Sequence, residues 1–214
     1  MHIPDGFISP LTYMPAYAAT VTLWYVTYTK TKLDSDKISF LAALSALSFV
    51  FMMIAVPLPG GTSAHLSGVA LLSIVFGPWL GFAAISMVLV IEALFFGEGG
   101  VTTLGINVLA IGFIGCFSSY YVYRFLKKIN ENIALFLAGW FGMNMPALFV
   151  AAVLGLQPLI ASAEGKPLFF PFDIETTVAA LMIPHALIGI VEGVVTVVLY
   201  RFLRKNFKVI FDER

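Results

Sequence analysis

The charges of this chain fall in a few short clusters, and the stretches between them are apolar over lengths that would cross a lipid bilayer. That pattern decides the fold class. Backbone N–H and C=O groups find no water at membrane depth, so an apolar stretch there must be helical or part of a closed barrel. The stretches here run to about twenty residues without strict alternation, which is the length of a membrane helix. Charged residues make up 11% of the 214 and hydrophobic ones 60%, whereas soluble domains carry about 25% charged residues. The chain reads as an all-α integral membrane protein, with residues 1–214 forming one transmembrane domain. The single Cys116 lies inside an apolar run, which excludes a disulfide framework and a cysteine-based zinc site.

The breakers predict a bundle of seven helical segments. The first covers 10–29 and ends in the polar run 30–37; the second covers 38–57 and stops at Pro57-Leu58-Pro59-Gly60-Gly61, which cannot continue a helix. Gly77-Pro78-Trp79-Leu80-Gly81 divides the next apolar run into a short helix, 66–76, and a full one, 79–96. The short piece rises only about 16 Å, half of a ~30 Å hydrocarbon core. It is therefore expected inside the bundle, starting in a cavity, with His65 at its beginning. Spans at 104–126 and 132–155 follow, then a loop at 157–173 with three prolines, and a last helix at 174–204 through Pro184.

Eleven of the twelve Lys and Arg residues lie in 30–37, 124–128 and 201–214. The positive-inside rule makes these regions cytoplasmic. Alternating the spans then puts the N-terminus and the loops 57–66, 97–103 and 157–173 outside, and the C-terminus inside. No cleavable signal is recognisable, so Met1 is expected to be retained.

Met1-His2 offers three nitrogen donors in a row: the α-amine, the His2 amide and the His2 imidazole. They close two fused chelate rings on one ion. The amide must lose its proton to bind, which favours a planar arrangement, and planar nitrogen sites suit Ni²⁺ or Cu²⁺ rather than Zn²⁺. Only His65 and His185 remain as further histidines, and His65, predicted on the same external side, is read as the fourth ligand. Pro4 and Asp5-Gly6 form a turn that folds the segment 1–9 back into the bundle. Asp5 is a candidate carboxylate for an imidazole N–H, and Ser63 belongs to the small-residue run that leads to His65. Such a site weakens in acid, because every donor must be deprotonated to bind.

Three ionisable groups lie deep in predicted spans. Glu92 is in the fourth, and His185 and Glu192, two turns apart, share one face of the last. Buried charges of this kind face cavities or partners, and interhelical hydrogen bonding is favoured for them over a proton relay or second metal site. Asn107 reads as an interhelical hydrogen-bonding residue or a support for the N-terminal segment. Gly189-x-x-x-Gly193 permits close helix packing. Arg201, Arg204, Lys205 and Lys208 form a basic stripe whose default role is topology and headgroup contact. No ATP-binding motif is present.

Met1-His2-Ile3-Pro4-Asp5-Gly6, Gly61-Thr62-Ser63-Ala64-His65, Thr103-Leu104-Gly105-Ile106-Asn107 and His185 through Gly193 together make the chain resemble the CbiM/NikM family. These are the substrate-specific membrane components of energy-coupling-factor cobalt and nickel transporters, and the resemblance covers essentially the whole chain. Glu92 stands where members often have Gln, and Glu98 where they often have His or Asp. The resemblance implies a metal held by the Met1 amine, the His2 amide and imidazole nitrogens, and His65. Ni²⁺ or Co²⁺ would be the transported substrate, with no organic cofactor. It also implies a prokaryotic cell-membrane location, a transmembrane coupling subunit, ATP-binding cassette ATPase subunits and a small accessory membrane subunit. A cobalt importer would feed corrinoid synthesis, a nickel importer metalloenzymes. Two other functions remain open on the residues alone: an intramembrane enzyme using His185, Glu92 and Glu192, and an autonomous proton-coupled metal carrier.

Overall fold

The computed structural model describes residues 2–31, 35–58, 62–207 and 211, and the chain is mostly helical. Met1, Pro59, Gly60, Gly61 and Lys208, named above, lie outside the described residues. Helix α1 (Pro10–Lys30) begins on a proline, which costs no intrahelical bond at that position, and α2 (Ser35–Met53) follows. The chain then turns through an antiparallel hairpin of β1 (Val56–Leu58) and β2 (Thr62–Ala64), with Val56 opposite Ala64. Next come α3 (Val69–Phe76) and α4 (Pro78–Ile91), separated by Gly77 alone. Helix α4 runs on into a π-helical turn, Glu92–Phe96. The next rod joins α5 (Leu104–Asn107), a π-helical stretch at Val108–Gly115, and α6 (Cys116–Leu126). Helix α7 (Glu131–Gly155) leads through α8 (Gln157–Ile160) and a small hairpin, β3 (Ser162–Ala163) with β4 (Lys166–Pro167), to α9 (Ile174–Asn206).

Among the described residues, four helices are long and apolar enough to cross a membrane: Pro78–Phe96, Leu104–Leu126, Glu131–Ile160 and Ile174–Asn206. Helix α1 has 21 residues but is rich in Thr and Tyr and falls outside that set. The packing places polarity inside and apolar surface outside. On α9, His185, Glu192 and Thr196 are buried, while Ile183, Leu187, Ile190, Val194 and Val198 are exposed. His185 and Glu192 thus share the inward face, as their spacing predicts.

Helices α7 and α9 form the spine. Gly189 lies against Trp140 and Asn144, and Gly193 against Phe136, close enough that a Cβ on Gly193 would sit 2.7 Å from the Phe136 carbonyl oxygen. Helix α3 is enclosed by its neighbours, with Val69 through Val75 all buried. The short helix is therefore interior, as its length requires.

Three boundaries differ from the sequence expectation. Helix α2 ends at Met53 rather than 57, because Pro57 enters a strand. Helix α3 starts at Val69 rather than 66, because Gly68 takes a left-handed φ of 67° that the helix cannot contain. His65 therefore sits between β2 and α3, not on the helix. The loop 157–173 also contains α8 and the second hairpin.

A side chain at position 193 should separate the spine. Gly193→Leu is expected to cost about 1–3 kcal/mol of overpacking, read as a lower Tm in detergent. Ile190→Leu, on the outward face, is expected to melt with the wild-type chain.

Candidate metal site

The N-terminal segment is docked through its backbone. Ile3 N–H donates to Asn107 Oδ1 at 2.9 Å, and Asn107 Nδ2 returns a bond to the Ile3 carbonyl at 3.1 Å. The Gly100 N–H and the Thr103 hydroxyl also donate to that carbonyl, at 2.9 and 2.5 Å. Thr103, at the start of the rod, and Asn107 are one turn apart, so one helix end grips the backbone of one residue. The segment also packs so tightly on Gly100 that a Cβ there would overlap Asp5. At its far end, Ser9 N–H donates to Gln157 Oε1 at 2.9 Å. His2, Ile3, Ile8 and Ser9 are all buried.

Asp5 does not face an imidazole. Its carboxylate accepts from the N–H groups of Val101, at 3.1 Å, and Thr102, at 2.8 Å, and from the Thr102 hydroxyl. The turn at Gly6 (φ 84°) aims it at the loop before α5, where free N–H groups need acceptors. Burial opposes its charge, but these donors outweigh it and hold its pKa below the ordinary carboxylate value.

The carboxylate beside the imidazole is Glu92. His2 Nε2 lies 3.4 Å from Glu92 Oε2, and His2 Nδ1 lies 3.9 Å from Glu98 Oε2. Glu92 opens the π turn that follows α4, and Glu98 lies just beyond that turn. Gly97, in a left-handed conformation, closes the π turn, and the N–H groups of Gly97 and Glu98 both bond to the Glu92 carbonyl. This doubles the chain back and sets two carboxylates on either side of one ring. Glu92 is fully buried, and Glu98 is one-third exposed.

His65 meets the same ring from the other side. The two imidazoles stack with centroids 4.7 Å apart and planes 15° from parallel. His65 Nδ1 lies 3.0 Å from the Leu66 carbonyl; a carbonyl only accepts, so Nδ1 carries the proton and Nε2 presents its lone pair. Among the described residues His65 Nε2, both His2 ring nitrogens and both Glu92 oxygens are buried without a hydrogen-bond partner. An unsatisfied buried group costs about 1–3 kcal/mol, so such a cluster needs a compensating function. Burial keeps both rings neutral: it pushes His2 down to about 3 and His65 well below its ordinary value.

Glu192 holds the His65 loop in place. It accepts from Ser67 N–H at 2.9 Å, the Ser67 hydroxyl at 3.1 Å and Gly68 N–H at 2.9 Å, which joins α9 to the residues that follow His65. His185 Nδ1 pairs with the Leu181 carbonyl at 2.7 Å, one turn back on its own helix. Ser63, opposite Pro57 in the hairpin, lines a cavity of about 290 Å³ with His2, Pro4 and Glu98. Among the described residues no three His, Cys, Asp or Glu side chains make a metal-holding group by themselves. Sequence reasoning missed the approach of Glu98 to His2 and the grip of Gln157 on Ser9; Glu98 had been marked only as a position where family members often carry His or Asp.

The sequence profile of the cobalt uptake substrate-specific transmembrane region, CbiM, matches residues 2–208. The chain belongs to the CbiM family. It is 38% identical over 216 residues to the fused nickel transport protein NikMN of Rhodobacter capsulatus and 36% identical over 212 residues to the probable fused nickel transport protein LarMN of Lactiplantibacillus plantarum. Each match covers 96% of this chain but only 62% and 65% of those longer proteins. A crystal structure of a truncated transition metal transporter superposes with a TM-score of 0.92 at 38% identity, covering 96% of this chain and 99% of that one. CbiM-family membership and the long apolar helices make the chain a membrane protein.

Two measurements probe the docking of this CbiM-family site. The folded-state pKa of Asp5 is depressed, so its clasp contributes fully above about pH 4 and is lost as pH falls through the lower folded value. Hydrogen-exchange protection at Val101 and Thr102, relative to the intrinsic rate at each pH, should fall over that acid range, and in Asp5→Asn that pH dependence should vanish. Glu192→Ala should leave two buried N–H groups unpaired, at a cost of about 1–3 kcal/mol each, read as a lower Tm and faster exchange at Ser67 and Gly68.

Proposed function

We propose that this chain is the substrate-capture component of an energy-coupling-factor importer that binds Ni²⁺ or Co²⁺ through four nitrogens. The donors are the Met1 amine, the His2 amide, His2 Nδ1 and His65 Nε2. Met1 itself lies outside the described residues. The observation that carries the reading is the stacked pair of His2 and His65, buried and with ring nitrogens lacking partners. Chelation through the adjacent amide uses Nδ1, which closes a six-membered ring and leaves Nε2–H to point at Glu92. Its distance of 3.4 Å to Glu92 Oε2 suits the carboxylate–histidine–metal arrangement that orients a ligating ring. Because the rings stack, one imidazole must turn before both nitrogens share a plane with the ion.

Nickel is the metal named for the two fused relatives and cobalt for the family. The site faces the exterior of a prokaryotic cell membrane, the basic end of α9 faces the cytoplasm, and residues 1–214 act as one transmembrane domain. A coupling subunit, cassette ATPases and a small accessory membrane subunit complete the importer, and no organic cofactor takes part. Against an intramembrane enzyme, Glu192 is committed to Ser67 and Gly68 and His185 to Leu181, so the two form no acid–base pair.

The test compares chain with an authentic free Met1 against chain carrying one extra N-terminal residue, and against His65→Ala. The extension turns the amine into an amide and moves His2 out of register. Ni²⁺ binding by calorimetry is expected to be lost in both variants. Retention in both would overturn the four-nitrogen reading, and transport by the chain alone in proteoliposomes would replace the importer with an autonomous carrier.

A further inference from the structure

A metal with four nitrogen donors must first arrive as a hydrated ion, and the amide of His2 cannot bind until its proton is gone. A cavity lies beside His2. The cavity of about 290 Å³ is lined by His2, Pro4, Ala55, Pro57, Ser63 and Glu98, among others. Six waters at about 30 Å³ each need about 180 Å³, so a fully hydrated divalent ion fits.

Glu98 is the acid at the mouth of this cavity, one-third exposed, while the ring it faces is 2% exposed. The His2 atom on that side is Nδ1, which is buried with no hydrogen-bond partner among the described residues. Glu98 Oε2 and His2 Nδ1 are 3.9 Å apart. Metal–nitrogen and metal–oxygen bonds of about 2.1 Å span up to about 4.2 Å, so a single ion reaches both atoms. Glu92, on the opposite edge of the ring, is fully enclosed and faces Nε2 instead. Of the two carboxylates, only Glu98 is open to solvent and on the chelating side.

Resting on the four-nitrogen reading, we propose that Glu98 and His2 Nδ1 form a loading site for the incoming divalent ion, occupied before the planar site closes. The hydrated ion exchanges two waters for Glu98 Oε2 and His2 Nδ1. In the next step the bond from the ion to Glu98 breaks and the bond to the His2 amide nitrogen forms. The amide proton leaves to water through the same mouth. Glu98 is absent from the final coordination sphere, so it governs how fast the ion is captured rather than the geometry in which it is held.

The experiment is stopped-flow mixing of Ni²⁺ with detergent-purified full chain bearing a free Met1, followed by the visible absorption of planar nickel. Wild-type chain, Glu98→Gln and Glu98→Ala are compared at rising ionic strength. Charge steering accounts for rate factors of 10 to 1,000, so Glu98→Gln is expected to slow association about tenfold or more and to lose the salt dependence. The final spectrum should match the wild type, and acetate should restore part of the rate in Glu98→Ala. An unchanged rate and salt dependence in Glu98→Gln would overturn the loading site while leaving the four-nitrogen reading intact. An altered final spectrum would make Glu98 a resident ligand and also overturn it. Failure of the wild-type chain to give the planar band would remove the four-nitrogen reading itself, and this proposal with it.

Discussion

Everything at the site depends on the backbone of one residue, Ile3, being held by one helix. Asn107 brackets Ile3 as a neighbouring β-strand would, donating to its carbonyl and accepting from its N–H. An N-terminal segment is normally the part of a chain with most conformational freedom, and fixing each residue costs about 1–2 kcal/mol. Here the cost is offset by the bonds to Ile3, the Asp5 clasp and the burial of Ile3 and Ile8. The imidazole of His2 is positioned because its neighbour is, and the fixed ring can then meet His65 and Glu92 at defined edges.

The second half of the site is built differently. His65 follows a short strand and precedes a left-handed glycine, so neither helix nor sheet fixes it. Its ring is oriented by the Leu66 carbonyl, and the backbone beyond it is held by Glu192 from α9. One ligand candidate is thus secured by an amide on the rod Leu104–Leu126, the other by a carboxylate on α9. The two meet where three imidazole nitrogens have no hydrogen-bond partner among the described residues.

Much of this was legible in the chain. Apolar lengths and breakers gave the helices, and the half-length segment before Gly77 had to be interior because it could not span a bilayer. Met1-His2 offers its three nitrogen donors without reference to the fold. What the chain concealed were choices between similar residues. Asp5 and Glu92 are both carboxylates within plausible reach of an imidazole, and only the turn at Gly6 and the π turn at Glu92–Phe96 decide which one arrives. Glu98 was hidden for the same reason: an ordinary α-helical ending would not fold it back over Glu92. Gly68 lay inside a run that reads as helix, so the strand-and-loop setting of His65 needed a backbone angle that composition does not reveal.

Helix α9 continues for fourteen residues beyond Glu192 to Asn206, about 21 Å at 1.5 Å per residue. Near that far end Arg204 is tied to Glu131 at 2.7 Å, and Tyr200 meets Tyr123 at 3.1 Å. A rod of this length is a lever. A tilt of about 5° pivoting at Asn206 carries Glu192 sideways by nearly 2 Å, more than a hydrogen bond survives. The stiffness that secures the His65 loop also makes its grip answerable to small movements on the opposite side of the protein.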